Sequence, residues 1–230
     1  MANFLGQIIN SPGFRFRLEE NIQEQGIFTI VFSSSTKHEP MTPEYIENKD
    51  FKGENFTEKE FQKAEYENCT FTGCIFTKTD LAGIIFSECE FENCDLSMAN
   101  LKSTSFRDVR FKDCKLLGLC FDECDNFLLS INFEDCIVNF SSFYRLKLKG
   151  IKFKGCKLEQ VDFAESDLRN SRFQKCDLSG ANFGNTNLES SDLTTAANFT
   201  IDPEANRIYK AKFSIQNITG LLNKYNIIIK

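Results

Sequence analysis

From Phe51 onward an apolar residue returns at every fifth position: Phe51, Phe56, Phe61, Tyr66, Phe71, Phe76, Leu81, Phe86, Phe91, Leu96, Leu101, Phe106, Phe111, Leu116 and Phe121. In a chain that is 41% hydrophobic, fifteen unbroken hits arise by chance about once in a million placements. The next step lands on Asn126 and fails. A shift of two restores the beat at Leu128 and carries it through Phe133, Val138, Phe143, Leu148, Phe153, Leu158, Phe163, Leu168, Phe173, Leu178, Phe183, Leu188 and Leu193. Neither the 3.6-residue period of an α-helix nor the two-residue period of a strand sustains a beat of five, whereas a solenoid does.

The position two before each anchor is restricted as well. It holds Cys69, Cys74, Thr79, Ile84, Cys89, Cys94 and Ala99 in the first frame, and Cys136, Ser141, Leu146, Ile151, Cys156 and Val161 in the second. Charged residues fall overwhelmingly at the other three places, so two residues in five face a core and three face water. A longer period is superimposed. Cys74, Cys94 and Cys114 are 20 apart, and after the two-residue insertion Cys136, Cys156 and Cys176 repeat that spacing. Phe51, Phe71, Phe91, Phe111, Phe133, Phe153 and Phe173 form a second column with the same spacing. Columns of identical side chains are what stacked coils require, because each coil buries its neighbour.

The segments Thr79-Asp80-Leu81, Ala99-Asn100-Leu101, Cys176-Asp177-Leu178, Ala181-Asn182-Phe183 and Ser191-Asp192-Leu193 resemble the A(D/N)LXX motif of the pentapeptide-repeat family. The resemblance implies an all-β solenoid, a right-handed quadrilateral β-helix with four pentapeptides per coil and about seven coils. The predicted organisation is an N-terminal extension over residues 1–48, the β-helix over 49–197, and a C-terminal cap over 198–230.

Residues 1–48 carry no beat. The apolar run 26–32 reads either as a strand capping the first coil or, if Met41 is the start, as part of an upstream extension. At the other end Ser214 is a candidate helix N-cap. Ile215, Ile218, Leu222 and Tyr225 follow on one face of a predicted α-helix, and Ile227, Ile228 and Ile229 suit a short terminal strand. This layout resembles the quinolone-resistance (Qnr-type) subfamily, which implies a homodimer joined through the C-terminal helix. A simple monomeric cap is the alternative that the residues leave open.

Composition narrows the function. There are 25 Phe but no Trp, and 10 Cys beside a single His, His38. One His outside the repeat excludes a His-based nucleophile triad, and no Gly-rich phosphate loop occurs. No catalytic, cofactor-binding or metal-binding residues are assigned, and the chain is read as a non-enzyme. Cys69/Cys74 and Cys89/Cys94 have spacings that suit zinc, but adjacent inward positions lie on different faces, so buried thiols filling space are expected. Cys120 and Cys124 depart from the pattern and are expected to be exposed and reactive. There is no basic start followed by a long apolar run and no stretch long enough to span a bilayer, so a cytoplasmic protein with reduced thiols is expected.

The net charge of −6 disfavours a direct nucleic-acid binder. The resemblance instead implies a protein partner, a bacterial type II topoisomerase (DNA gyrase or topoisomerase IV), bound by partial mimicry of DNA and giving quinolone or toxin tolerance. The alternative is a generic interaction scaffold with another client. Between Asp50 and Thr200 there are 25 acidic and 18 basic residues, a net of −7, while a DNA duplex as long as seven coils carries about 20 charges. Arg145, Lys147, Lys149, Lys152, Lys154 and Lys157 form a basic run free of acid, read as a solvated face or a site for an acidic partner. The insertion supplies the one loop-like candidate contact, Asp122, Glu123, Asp125 and Phe127, with Phe127 either its apolar tip or tucked inward.

Overall fold

The computed structural model describes residues 44–228. The readings of 26–32, His38, Met41 and Ile229 therefore lie outside the described residues. From Glu44 the chain winds into a parallel β-solenoid of about seven turns. The first coils carry two strands each: β1 (Glu44–Glu47) and β2 (Asp50–Lys52), β3 (Ala64–Glu67) and β4 (Thr70–Thr72), β5 (Ile85–Ser87) and β6 (Glu90–Glu92), β7 (Ser105–Arg107) and β8 (Val109–Lys112). Beyond the insertion one strand per coil remains: β9 (Ile131–Glu134), β10 (Lys152–Lys154) and β11 (Arg172–Gln174).

Two parallel sheets result. One runs β1-β3-β5-β7 and stops at the insertion; the other runs unbroken from β2 through β4, β6, β8, β9 and β10 to β11. We call these the first and second faces. The third face carries the Cys74 column and the fourth the Phe121 column. The register is the one the spacing predicts: Phe51 pairs with Phe71, Phe71 with Phe91, and Phe111 with Phe133 across the insertion. On the third and fourth faces the coils are joined by single parallel bridges, for example Ile137 to Lys157 and Asp162 to Asn182.

The core is the stack of anchors. Along the second face the rings from Phe51 to Phe173 lie parallel, with centroids 4.7 to 5.4 Å apart. On the fourth face Phe121, Phe143, Phe163 and Phe183 form another stack at 4.7 to 5.3 Å. The two stacks meet edge to face, as at Phe153–Phe163, 5.8 Å and 75°. Each ring inside these stacks therefore has stacked neighbours above and below and an edge contact beside it. Aromatic pairs in these arrangements add about 0.5–1.5 kcal/mol beyond burial. The small residues at the preceding position leave room for the rings. Thiols there donate to carbonyls one coil back, Cys94 to Phe71 at 3.2 Å and Cys114 to Phe91 at 3.3 Å.

The Asp or Asn of the motif now has a physical reason. Its side-chain oxygen accepts the amide N–H two residues on, closing the corner after the anchor: Asp80 to Ala82 at 3.1 Å, Asp162 to Ala164 at 3.0 Å, Asp192 to Thr194 at 3.0 Å. The next residue turns the corner with positive φ, which explains the Gly, Asn and Asp found there. Gly155 has a second reason, since a Cβ at its φ of +64° would stand 1.9 Å from Asp135 Oδ1.

The C-terminal cap corrects one expectation. Ile215–Leu221 is a 3-10 helix, followed by a 3-10 turn at Asn223–Tyr225, where an α-helix was expected. Ser214 does cap it, its hydroxyl accepting from Asn217 N–H at 3.2 Å. The segment is too short and too rich in Asn, Thr and Gly to propagate an α-helix. It is held to the last coil by several bonds: Asn217 Nδ2 donates to the Ala196 carbonyl at 2.6 Å, Ile201 N–H to the Gly220 carbonyl at 3.0 Å and Asn223 Nδ2 to Thr200 Oγ1 at 2.9 Å. At Gly220 a Cβ would stand 2.3 Å from the Phe199 carbonyl. Ile227 and Ile228 are not in a strand.

Three outcomes are expected. Replacing Phe133, at the centre of the long stack, by Ala costs about 3–5 kcal/mol in urea unfolding; a loss below about 1 kcal/mol would mean the stack is dispensable. The corner carboxylates Asp80, Asp177 and Asp192 sit below their ordinary range, held by hydrogen bonds first from Lys63, Ser179 and Thr194. Because folding depresses these values, their contribution is present above about pH 4 and is lost as the pH falls through the folded values. The urea midpoint therefore drops between pH 5 and pH 3, and a flat profile would refute the corner role. Finally, of the ten cysteines only Cys120 is exposed, so a thiol reagent at pH 8.5 should modify one thiol in the native protein and ten after denaturation.

Candidate functional site

The insertion builds a projecting corner. Phe121–Glu123 forms one 3-10 turn with Phe121 locked in the core. Asp125 then fixes the loop from both sides: Oδ1 accepts Phe127 N–H at 3.0 Å and Oδ2 accepts Ser105 Oγ at 2.9 Å. These bonds, the Phe127 amide first, hold its carboxyl below the ordinary range. Asp125 thus shapes the loop more than it offers a free charge. Asp122 is half-buried, with Oδ1 lacking a hydrogen-bond partner, and Glu123 is exposed.

Phe127 stands outward with 68% of its surface exposed. Leu128, which the five-residue beat assigns to the core, is corrected by the structure: it is 63% exposed, at a φ of +59°. Leu129 takes the inward place and packs against the core. The physical reason is the length of the insertion. The chain must regain register at Ile131, which pairs with Val109, and two extra residues can only arch outward. A bulky side chain at positive φ is strained, and an exposed Phe-Leu pair adds an apolar surface, so this corner is costly to keep.

Of the neighbouring thiols, Cys120 is exposed as expected but Cys124 is buried, contrary to expectation. Burial and the carboxylates of Asp122 and Glu123 push both thiols up, so neither is an activated thiolate, and Cys120 reacts only as an ordinary exposed thiol under alkaline conditions. Among the described residues no group of three or more His, Cys, Asp or Glu is placed to hold a metal ion. No helix among them is long and apolar enough to cross a membrane.

The basic run is redistributed by the winding. Arg145 sits at the end of the fourth face, Lys147 and Lys149 on the first, Lys152 and Lys154 on the second and Lys157 on the third, so a linear run becomes a girdle. Nor is it free of acid: Arg145 pairs with Glu165 at 2.7 Å and Lys154 pairs with Glu134. Carboxylates 20 residues away in sequence are one coil away in space. Lys147, Lys149 and Lys152 stay exposed and pair with no described carboxylate, and together they flank a shallow groove of about 190 Å³ beside the bulge.

The C-terminal residues also face solvent. Ile215 is 87% exposed, and Ile218, Tyr225, Ile227 and Ile228 are exposed with it, while Leu222 is half-buried. A further apolar pair went unread in the sequence. Met98 and Phe140 are exposed at a corner of the third face, both at positive φ. Reading the corner column, Lys78, Met98, Gly118, Phe140 and Gln160, would have singled them out.

The Pentapeptide repeat region family model matches residues 84–163. The Pentapeptide repeats (8 copies) model matches 55–93, 64–102, 147–185 and 156–195. No curated protein matches the sequence. Among solved structures, QnrB1, described as a plasmid-mediated fluoroquinolone resistance protein, is 20% identical with a TM-score of 0.41, over 81% of this chain and 100% of that one. HetL of the cyanobacterium Nostoc sp. strain PCC 7120, described as involved in heterocyst differentiation regulation, is 15% identical with a TM-score of 0.42, over 73% and 84%. The five-residue beat, the parallel 20-residue register and the matched family models place this chain in the pentapeptide-repeat family.

Proposed function

We propose that this chain is a non-catalytic, cytoplasmic protein-binding rod that grips its client with the bulged corner at 122–128, and that the client is a bacterial type II topoisomerase. The observation that carries the protein-binding reading is the exposed Phe127-Leu128 pair at the one interruption of an otherwise regular coil. Rigid apolar tips on a fixed scaffold are what hot spots require, and Asp125 fixes this one. The choice of client rests on the resemblance of layout to the quinolone-resistance proteins. Charge mimicry contributes little, since a net of −7 between Asp50 and Thr200 is about a third of what DNA of that length carries. The apolar corner therefore dominates recognition. The exposed Ile215, Ile218 and Tyr225, with the half-buried Leu222, suit a second copy, and the active form is a homodimer through this end.

Two measurements test the proposal. Purified protein titrated into gyrase supercoiling, with and without a quinolone, should rescue activity in the drug's presence or inhibit without it. The Phe127→Ser/Leu128→Ser variant should lose at least about tenfold in potency with its melting temperature unchanged. No effect of the parent protein at large molar excess would sink the topoisomerase reading; equal potency of the variant would sink the corner. In sedimentation the parent should run as a dimer and Ile218→Glu as a monomer, whereas a monomeric parent would dispose of the dimer.

A further inference from the structure

The bulge opens a break in the hydrogen-bond ladder of the first face. One coil on, the ladder is complete: Asp167 N–H donates to the Leu146 carbonyl at 2.8 Å, Leu148 N–H to Asp167 at 2.9 Å and Gly150 N–H to Arg169 at 2.8 Å. The equivalent bonds between 126–129 and 147–149 are missing among the described residues. The N–H and carbonyl of Lys147 and the carbonyl of Lys149 are left facing the groove without a backbone partner. The sheet β1-β3-β5-β7 ends at this same place.

Three features converge on the gap. Its floor offers unpaired backbone donors and acceptors, which need a partner when water is displaced. Its rim carries Lys147, Lys149 and Lys152, none paired with a described carboxylate. Leu129 to Asn132 line its other side, directly following the exposed Phe127-Leu128 pair in the chain. We propose that this groove receives a short extended segment of the partner protein that carries carboxylates and at least one large apolar side chain. The segment's backbone meets Lys147 and Lys149, its carboxylates meet the three ammonium groups, and its apolar side chain packs on Leu128. Edge pairing of this kind uses main-chain bonds for affinity and side chains for choice. A nucleic acid fits less well, because Asp167 acts on Lys149 and the chain as a whole carries a net charge of −6, which repels a continuous polyanion. The inference rests on the corner being the protein contact and adds the chemistry of what it holds.

The test uses a fluorescein-labelled peptide of alternating glutamate and phenylalanine, followed by anisotropy against the full chain at about 50 mM salt, where screening is weak. Saturable binding is expected, weakened at least tenfold by Lys147→Glu/Lys149→Glu/Lys152→Glu and several-fold by Leu128→Ser. A lysine–phenylalanine peptide should not bind. Hydrogen exchange at the Lys147 amide should be fast in the free protein and slow in the complex. No binding, equal binding by the triple variant, or an oligothymidylate binding as tightly as the peptide would each overturn the inference. The triple variant in the supercoiling assay separates the two proposals: sensitivity to Phe127→Ser/Leu128→Ser without sensitivity to the lysines leaves the corner standing and removes the acidic segment.

Discussion

Everything in this molecule depends on the parallel pairing of each residue with the one 20 positions later. That register lets a single hydrogen-bond ladder and a column of like side chains serve the whole length of the rod. The rings of the Phe51 column stack at 4.7 to 5.4 Å because the backbone spacing of parallel coils is about 4.8 Å. Backbone and side chains thus share one repeat distance. A coil that keeps the register buries its neighbour's anchors and completes its neighbour's bonds at once, so stability accrues coil by coil.

The same constraint makes departures from it informative. A two-residue insertion cannot be absorbed along the ladder, so it leaves the wall, and on the second face the register survives as Phe111 to Phe133. On the first face it does not, and the sheet ends there. The result is one corner with outward apolar side chains, unpaired backbone groups and lysines that form no ion pair with a described carboxylate. A regular rod gives a client few distinguishing marks along its length, and this corner is one. The exposed apolar residues near Ile215 are another, in a different part of the chain.

Electrostatics along the rod is set by coils, not by sequence runs. Glu134 and Lys154, or Arg145 and Glu165, belong to separate stretches of the chain yet pair across one coil. Such exposed pairs add little stability individually, but they cancel field. What remains uncancelled is local, which favours short-range recognition by shape and apolar contact over a long-range imitation of duplex DNA.

The sequence by itself determined the period, the coil length, the inward columns and the family, because a repeating environment imprints a repeating residue, from the 25 Phe to the Asp and Asn at the corners. It also placed the insertion, but left Phe127 either outward or tucked inward, and the structure puts it outward. It misassigned Leu128, because the beat is a statement about regular coils and the insertion is where regularity stops. It took 145–157 as one acid-free run and Cys124 as an exposed thiol, because distance along the chain is not distance across a coil. It expected an α-helix from the spacing of Ile215, Ile218 and Leu222, whereas the short segment, rich in Asn, Thr and Gly, forms a 3-10 turn. Only the tertiary structure decided which way the arch turns, which backbone groups it leaves open and which lysines lose their partners, because each of these is settled by contacts between residues about 20 positions apart.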